Sequence, residues 1–221
     1  MWRRCAKCGH IFTDGYFTEQ ALAVLFSRTL AHQQVGHDFE AQRYVSGRIV
    51  GRVTTFAPEI GAWLDVGFGN ASLLLTAAEW GYRAVGADLR AASVAALAAL
   101  EVEAHCVDVT RLDHDGRYSV ISMADVLEHM PYPKEALIAA RRLLRSNGVL
   151  FASMPNSDAS AWKLLTAQNQ NPYWGEIEHY HNFGRGRLYS LLEEFGFQPV
   201  SFAISERYRL CMEVIAKRVG P

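Results

Sequence analysis

Beyond residue 17 the spacing of apolar side chains alternates between helical and strand-like periods, the pattern of a sheet with helices on its faces. Residues 18–33 carry Leu22, Leu25, Phe26, Thr29 and Leu30 at helical spacing. A second helix is expected to start at Asp38 as its N-cap and to run through Tyr44, Val45, Ile49 and Val53 until Pro58 stops it. The first strand, Ala62-Trp63-Leu64-Asp65-Val66, breaks into the glycine turn Gly67-Phe68-Gly69 and a helix ending near Gly81. Strands follow at Arg83 to Ala87, ending on Asp88, at Val102 to Val107, ending at Asp108, and at Tyr118 to Met123. After Pro133 a helix built on Leu137, Ala140 and Leu144 is expected to stop at Asn147-Gly148, a left-handed terminus, before a fifth strand from Val149 to Met154. Residues 155–183 lack clear periodicity. Leu188, Leu191, Leu192 and Phe195 predict a helix closed by Gly196, and strand-like runs at 197–204 and 208–217 bring the count to seven.

Composition narrows the classes of function. The 221 residues carry 22 Lys and Arg against 23 Asp and Glu, a formal net charge of -1, which gives no general electrostatic reason to bind nucleic acid or an anionic membrane. Arg28, Glu79 and Glu101 interrupt the richest apolar stretches, so none approaches the ~20 residues of a membrane helix. Met1-Trp2-Arg3-Arg4-Cys5 leads into polar sequence without the apolar region of a secretory signal, and a cytoplasmic protein is expected. Four cysteines are too few for a disulfide scaffold. Cys106 and Cys211 fall in strands and read as buried small hydrophobes. Cys5-Ala6-Lys7-Cys8-Gly9-His10 is half of a zinc knuckle, with Cys5 and Cys8 as thiolates and His10 as a third candidate ligand. Zinc would be bound within one chain, by a finger shared between chains or by one whose first half lies upstream, unless the knuckle is a degenerate remnant.

A glycine-rich turn between strand and helix lets the backbone approach a ligand, while free N–H groups at the helix start attract negative charge. Asp88 falls nineteen residues beyond Gly69, at a strand tip where an acid can accept from both ribose hydroxyls. With Asp65 and Asp108, three acidic tips point to one nucleoside-like ligand across the carboxyl edge of the sheet. A nicotinamide fingerprint wants Gly where Ser72 stands, which disfavours an oxidoreductase. The spacing Gly67, Gly69, Ala71 instead resembles the glycine motif of class I S-adenosylmethionine-dependent methyltransferases. Further motifs are similar to that family in order: Tyr118 to Pro131, containing Asp125-Val126-Leu127-Glu128-His129; Leu143 to Leu150; Met154-Pro155-Asn156; and Glu178-His179-Tyr180-His181-Asn182-Phe183 with Leu188 and Gly196-Phe197.

The resemblance covers about residues 60–217 and implies an α/β fold, a Rossmann-like seven-stranded sheet that is mostly parallel with its last strand antiparallel. It divides the chain into a knuckle segment over 1–17, a helical cap over 18–57 and a cofactor-binding domain over 58–221. It implies that the turn at Asp65, Gly67 and Gly69 holds the methionine part of S-adenosylmethionine, that Asp88 takes the ribose hydroxyls and that Asp108 sits against the adenine amino group, with Phe68, Leu89, Val109, Ala124 and Asp125 as further cofactor-binding residues. Phe68 replaces a commoner small residue and Ala71 the last glycine, inside the expected helix start. A hydroxyl acceptor needs its proton removed, and His129, His179 and His181 are the candidates. Asp125, Glu128 and His129 resemble the divalent-metal trio of ubiquinone-biosynthesis O-methyltransferases; one helical turn can present both acids to one Mg²⁺. Trp162, Tyr173, Trp174, Tyr180 and Phe183 are expected to form a lid or pocket wall. The predicted function is methyl transfer to a small molecule, an oxygen of a sugar, quinone or phenolic metabolite. The rival readings are a catalytically silent methyltransferase-like binding module and a nicotinamide oxidoreductase.

Overall fold

The computed structural model describes residues 1–25 and 29–220. Two short strands, Trp2–Arg4 (β1) and Ile11–Thr13 (β2), flank the Cys5-x2-Cys8 turn and precede helices Glu19–Leu25 (α1) and Phe39–Phe56 (α2). Alternation follows: Ala62–Val66 (β3), Ser72–Glu79 (α3), Arg83–Asp88 (β4), Ala91–Ala98 (α4), Glu103–Cys106 (β5) and Tyr118–Ala124 (β6). Then come Pro133–Leu143 (α5), Leu144–Pro155 (β7), Ser160–Ala167 (α6), His181–Asn182 (β8), Arg185–Glu194 (α7), Phe197–Ile204 (β9) and Cys211–Arg218 (β10).

Seven strands form one sheet in the order β5-β4-β3-β6-β7-β10-β9. β3 pairs in parallel with both β4 and β6, so the chain builds outward to β5 and then returns to the other side of β3. That reversal opens a crevice at the carboxyl ends of β3 and β6, where sheets of this kind bind ligands. The predicted antiparallel strand is β10, which lies between β7 and β9.

A parallel strand covered on both faces must be apolar on both. Trp63 and Val120 face one core with Ile49 and Val53 of α2 and Leu74 of α3. Leu64, Ile121 and Met123 face the other with Leu137 of α5 and Leu188 of α7. Gly86 in β4 makes room for Phe68: a Cβ there would stand 2.6 Å from Leu97 Cδ2 and 2.8 Å from Phe68 Cδ1.

Several boundaries differ from those expected. The helix expected over 18–33 is described as α1 and a 3-10 turn at Ala31–Gln33; Phe26 and Arg28 lie outside the described residues. Asp38 precedes α2 but takes a left-handed φ of 47° and makes no cap bond. Leu144 fits a helical spacing with Ala140, yet it is fully buried opposite Tyr118, and the helix ends one residue earlier. The left-handed residue is Asn147, at φ 61°, inside the strand line. Cys211 is buried, whereas Cys106, expected to be buried, is exposed at the end of edge strand β5.

A second sheet, β1-β2-β8, was not foreseen. It pairs Ile11 with Asn182 and Phe12 with His181, and the aromatic residues of 155–183 seat it. Trp2 packs edge-on against Trp174, and Trp162 stacks on Tyr173.

Gly86→Ala is expected to overpack this junction and cost about 1–3 kcal/mol. A lowered urea midpoint at unchanged m-value checks it; an unchanged midpoint contradicts the packing.

Candidate active site

The crevice is a cavity of about 700 Å³. All ten residues predicted to hold a cofactor line it: Asp65, Gly67, Phe68, Gly69, Asp88, Leu89, Asp108, Val109, Ala124 and Asp125. Leu22, Leu25 and Leu30 line it from the cap, whereas α2 packs on α3 and the sheet. A separate groove of about 830 Å³ lies between the N-terminal hairpin, α6 and α7, away from these acids, and it contains Trp162 and Trp174. None of the five aromatic residues expected as a pocket wall lines the cavity, since their faces are used to hold the hairpin and to fill the core.

The glycine turn owes its shape to left-handed residues: Gly67 at φ 64°, Gly69 at 52° and Ala71 at 61°. Ala71 is the residue before α3, outside the helix where it was expected, and its methyl is fully buried in the core. A Cβ at Gly67 would stand 3.0 Å from Val126 Cγ2, whereas one at Gly69 would meet nothing within 4 Å and would fill cavity space.

Each acid has a distinct environment. Asp65 is 3% exposed and accepts the Ser122 hydroxyl at 2.5 Å. Burial pushes its pKa up to about 7 despite that bond. Arg90 grips Asp88 through its backbone N–H and Nε to Oδ1, at 2.8 and 3.0 Å, and Nη2 to Oδ2, at 2.8 Å. The same guanidinium donates Nη1 to Gln33 Oε1 at 2.7 Å. Asp108 accepts the Thr110 N–H and hydroxyl on Oδ1 and leaves Oδ2.

Asp125 has a left-handed φ of 58°, and Ser153 donates to its Oδ1 at 3.0 Å. Its Oδ2 is buried without a hydrogen bond, 3.8 Å from Arg207 Nη2. Burial raises the pKa of Asp125, opposed by Arg207. Arg207 lies in the turn between β9 and β10, lines the cavity and has a buried, unpartnered Nη1. Sequence reading missed it, because the run from 205 to 210 has no periodicity or motif to mark it.

Glu128 is 1% exposed with both carboxylate oxygens unpartnered, and burial holds its pKa well above the usual carboxylate range. His129 lines the cavity, with its Nδ1 3.1 Å from the Glu178 carbonyl. His179 stands perpendicular to it, with ring centroids 4.5 Å apart. Burial lowers the pKa of His129 to about 4 and of His179 to about 3, so both are neutral at pH 7. His179 and His181 do not line the cavity; His181 Nδ1 meets His10 Nε2 at 3.0 Å.

Neither predicted metal trio converges. Among the described residues, Glu128 and His129 cluster with His179 and without Asp125, because the left-handed Asp125 and the 3-10 turn Leu127–His129 replace the expected helical turn. Cys5 and Cys8 adopt the tight turn, with Gly9 N–H donating to the Cys5 carbonyl at 2.9 Å, and backbone N–H groups of Cys8 and Lys7 hold the Cys5 thiol below its usual pKa. His10 faces His181 and Phe183 and forms no three-ligand cluster with the thiols. No helix among the described residues is long and apolar enough to cross a membrane.

Residues 40–201 match the family described as a methyltransferase domain. Over 109 residues the chain is 36% identical to the ubiquinone biosynthesis O-methyltransferase of Cronobacter sakazakii, covering 46% of this chain and 45% of that protein. The protein of the same name from Idiomarina loihiensis is 33% identical over 109 residues, with coverages of 46% and 45%. The chain thus spans somewhat under half the length of the curated relatives it matches. The 1,6-didemethyltoxoflavin-N1-methyltransferase of Burkholderia thailandensis, solved with 1,6-didemethyltoxoflavin and S-adenosylhomocysteine, has the same fold at a TM-score of 0.69 and 18% identity, over 98% of this chain and 99% of that one. The magnesium protoporphyrin IX methyltransferase of Synechocystis, with bound S-adenosylhomocysteine, gives a TM-score of 0.64 at 16% identity, over 94% and 90%.

The environment of Asp65 makes stability depend on pH. Its folded pKa lies above the unfolded value, so its stabilising contribution is complete below about pH 4 and is lost as pH rises to about 7. Wild type is expected to lose about 2–4 kcal/mol relative to Asp65→Asn between those limits. Parallel pH curves for the two proteins in denaturant unfolding would contradict this.

Proposed function

The chain belongs to the methyltransferase-domain family, and from that premise we propose that it transfers a methyl group from S-adenosylmethionine to a phenol or quinol oxygen of a small metabolite. When bound, S-adenosylmethionine supplies a methyl group made electrophilic by its sulfonium. The chain has to bind it, hold the acceptor oxygen in line and lower the cost of that oxygen's charge; positioning alone can contribute roughly 7–11 kcal/mol.

In this reading Asp65, Gly67, Phe68, Gly69, Ala124 and Asp125 receive the methionine part, Asp88 and Leu89 the ribose, and Asp108 and Val109 the adenine. The residues fit such a guest. Gly69 leaves the space of a side chain open, and Asp65 and Asp125 line the cavity as hydrogen-bond acceptors for an ammonium group. A carboxylate has about four lone-pair positions, so Arg90's three bonds leave Asp88 one for a ribose hydroxyl.

Arg207 carries the acceptor assignment. A half-buried guanidinium that lines the cavity and has an N–H without a partner stabilises an oxygen that ionises, which favours phenols and quinols over sugar hydroxyls. The ubiquinone-biosynthesis relatives support the same choice. Of the histidine candidates, His129 is retained as the one that acts on the acceptor oxygen, because His179 and His181 do not line the cavity. Mg²⁺ at Asp125, Glu128 and His129 and zinc at Cys5, Cys8 and His10 are not part of this reading, since neither trio converges.

Calorimetry with S-adenosylhomocysteine and methyl-transfer assays on catechol, hydroquinone and monosaccharides test the proposal. Asp88→Ala is expected to weaken the nucleoside ligand roughly ten- to hundredfold, the equivalent of one hydrogen bond to a charged group. Arg207→Gln is expected to keep that affinity and to lose roughly ten- to hundredfold in turnover on the phenolic acceptors. Wild-type binding by Asp88→Ala overturns the cofactor assignment; methylation of monosaccharides alone, or full phenolic turnover by Arg207→Gln, overturns the acceptor assignment.

A further inference from the structure

We propose that Glu128, His129 and His179 form a binding site for a borderline divalent transition metal such as zinc, beneath the acceptor end of the cavity. The inference rests on the reading of that end and specifies how His129 acts there: through the ion it holds.

One ligand atom from each of the three lies within 4.8 Å of the other two. Glu128 is 1% exposed, yet neither carboxylate oxygen has a hydrogen-bond partner. His179 is 7% exposed, and its Nδ1 is likewise buried and unpartnered. His129 presents Nδ1 to the Glu178 carbonyl at 3.1 Å, which fixes the proton on that nitrogen and leaves Nε2 with a bare lone pair. A buried carboxyl group whose two oxygens have no partner is costly in either protonation state, and a bound cation would satisfy both oxygens. The spacing suits such a cation. Ligand atoms bound about 2.0–2.2 Å from a shared tetrahedral ion stand roughly 3.5 Å apart, a spacing that atoms gathered within 4.8 Å can reach.

The donor set selects the ion's class. Magnesium takes six oxygen ligands, and the nearest second carboxylate in sequence, Asp125, is engaged by Ser153 and faces Arg207. Two imidazoles with one carboxylate suit zinc and its neighbours, and three protein ligands leave a coordination position open. His129 also lines the cavity, so the ion stands one side chain from the acceptor. The other His-rich group, Glu103, His105 and His114, shows the contrast. There His105 Nε2 meets Glu103 Oε1 at 3.0 Å, Arg117 donates to Oε2 at 2.5 Å, and the Tyr118 hydroxyl meets His114 Nδ1 at 2.6 Å, so its polar atoms already have partners.

Titration of the purified protein with Co²⁺ tests the site. Wild type is expected to bind one ion with the visible absorption of a nitrogen- and oxygen-ligated centre, and Glu128→Gln and His179→Gln each to weaken it roughly tenfold or more. Asp125→Asn and the Cys5→Ser/Cys8→Ser pair are expected to keep it. Far-ultraviolet circular dichroism and denaturant unfolding of each variant report folding independently of the metal. Cobalt-edge X-ray absorption on wild type needs no variant: two imidazoles without sulfur support the site. No uptake, a sulfur shell, or loss in Asp125→Asn with retention in His179→Gln overturns it. Methyl transfer is assayed separately, so failure here leaves the acceptor reading to its own test.

Discussion

Desolvated carboxylates gathered at one edge of a sheet are the constraint on which the rest of this structure depends. Strands β3 and β6 are buried on both faces, which is what makes their parallel pairing stable, but the same burial strips water from whatever stands at their carboxyl ends. Here that is Asp65, Asp125 and, just beyond, Glu128, all with pKa values raised mainly by burial. Each is handled differently. Asp65 receives a hydroxyl, Asp125 a hydroxyl and a distant guanidinium, and Glu128 receives nothing from the chain. This gradient, from satisfied to orphaned, runs from the glycine turn toward His129.

The N-terminal hairpin serves the same edge from outside. Tyr180 N–H donates to the Glu128 carbonyl at 2.7 Å, and Thr13 N–H donates to the Tyr180 carbonyl at 2.9 Å. The 3-10 turn that carries Glu128 and His129 is therefore backed by the segment that pairs with the hairpin. His10 and His181 form the contact between them, and burial lowers the pKa of both, which favours the neutral rings. Two cations 3.0 Å apart would repel, so the contact depends on that neutrality.

The sheet and the ten cavity residues were legible because their signals are local. A strand, a glycine turn and a helix follow one another within a few residues, and each acid closes its own strand. What was not legible joins distant segments or departs from regular geometry. Ile11 pairs with Asn182 across 171 positions, which no periodicity announces. Asp125 and Glu128 have the spacing of one helical turn, but a left-handed Asp125 sends the two carboxylates apart and lets His179 take the place expected for Asp125. Arg207 belongs to a turn with no pattern, and only the closing of β9 on β10 carries it to the cavity. The aromatic run of 155–183 was read as a pocket wall from its composition, which cannot distinguish a surface that meets a ligand from one that meets the chain's own first strands.

The acid at the tip of β4 links the cap to the cavity. Asp88 has few acceptor positions, and Arg90 fills most of them while its remaining arm holds Gln33 in the turn that follows α1. A ribose that takes two hydroxyl bonds from this carboxylate has to displace one of Arg90's. The guanidinium is planar and its donors are rigidly connected, so displacing one turns the others, and the arm on Gln33 turns with them. Cap position and ribose occupancy therefore draw on the same few lone pairs. The turn that lines the cavity beside the helices is tethered to the group a ribose would use.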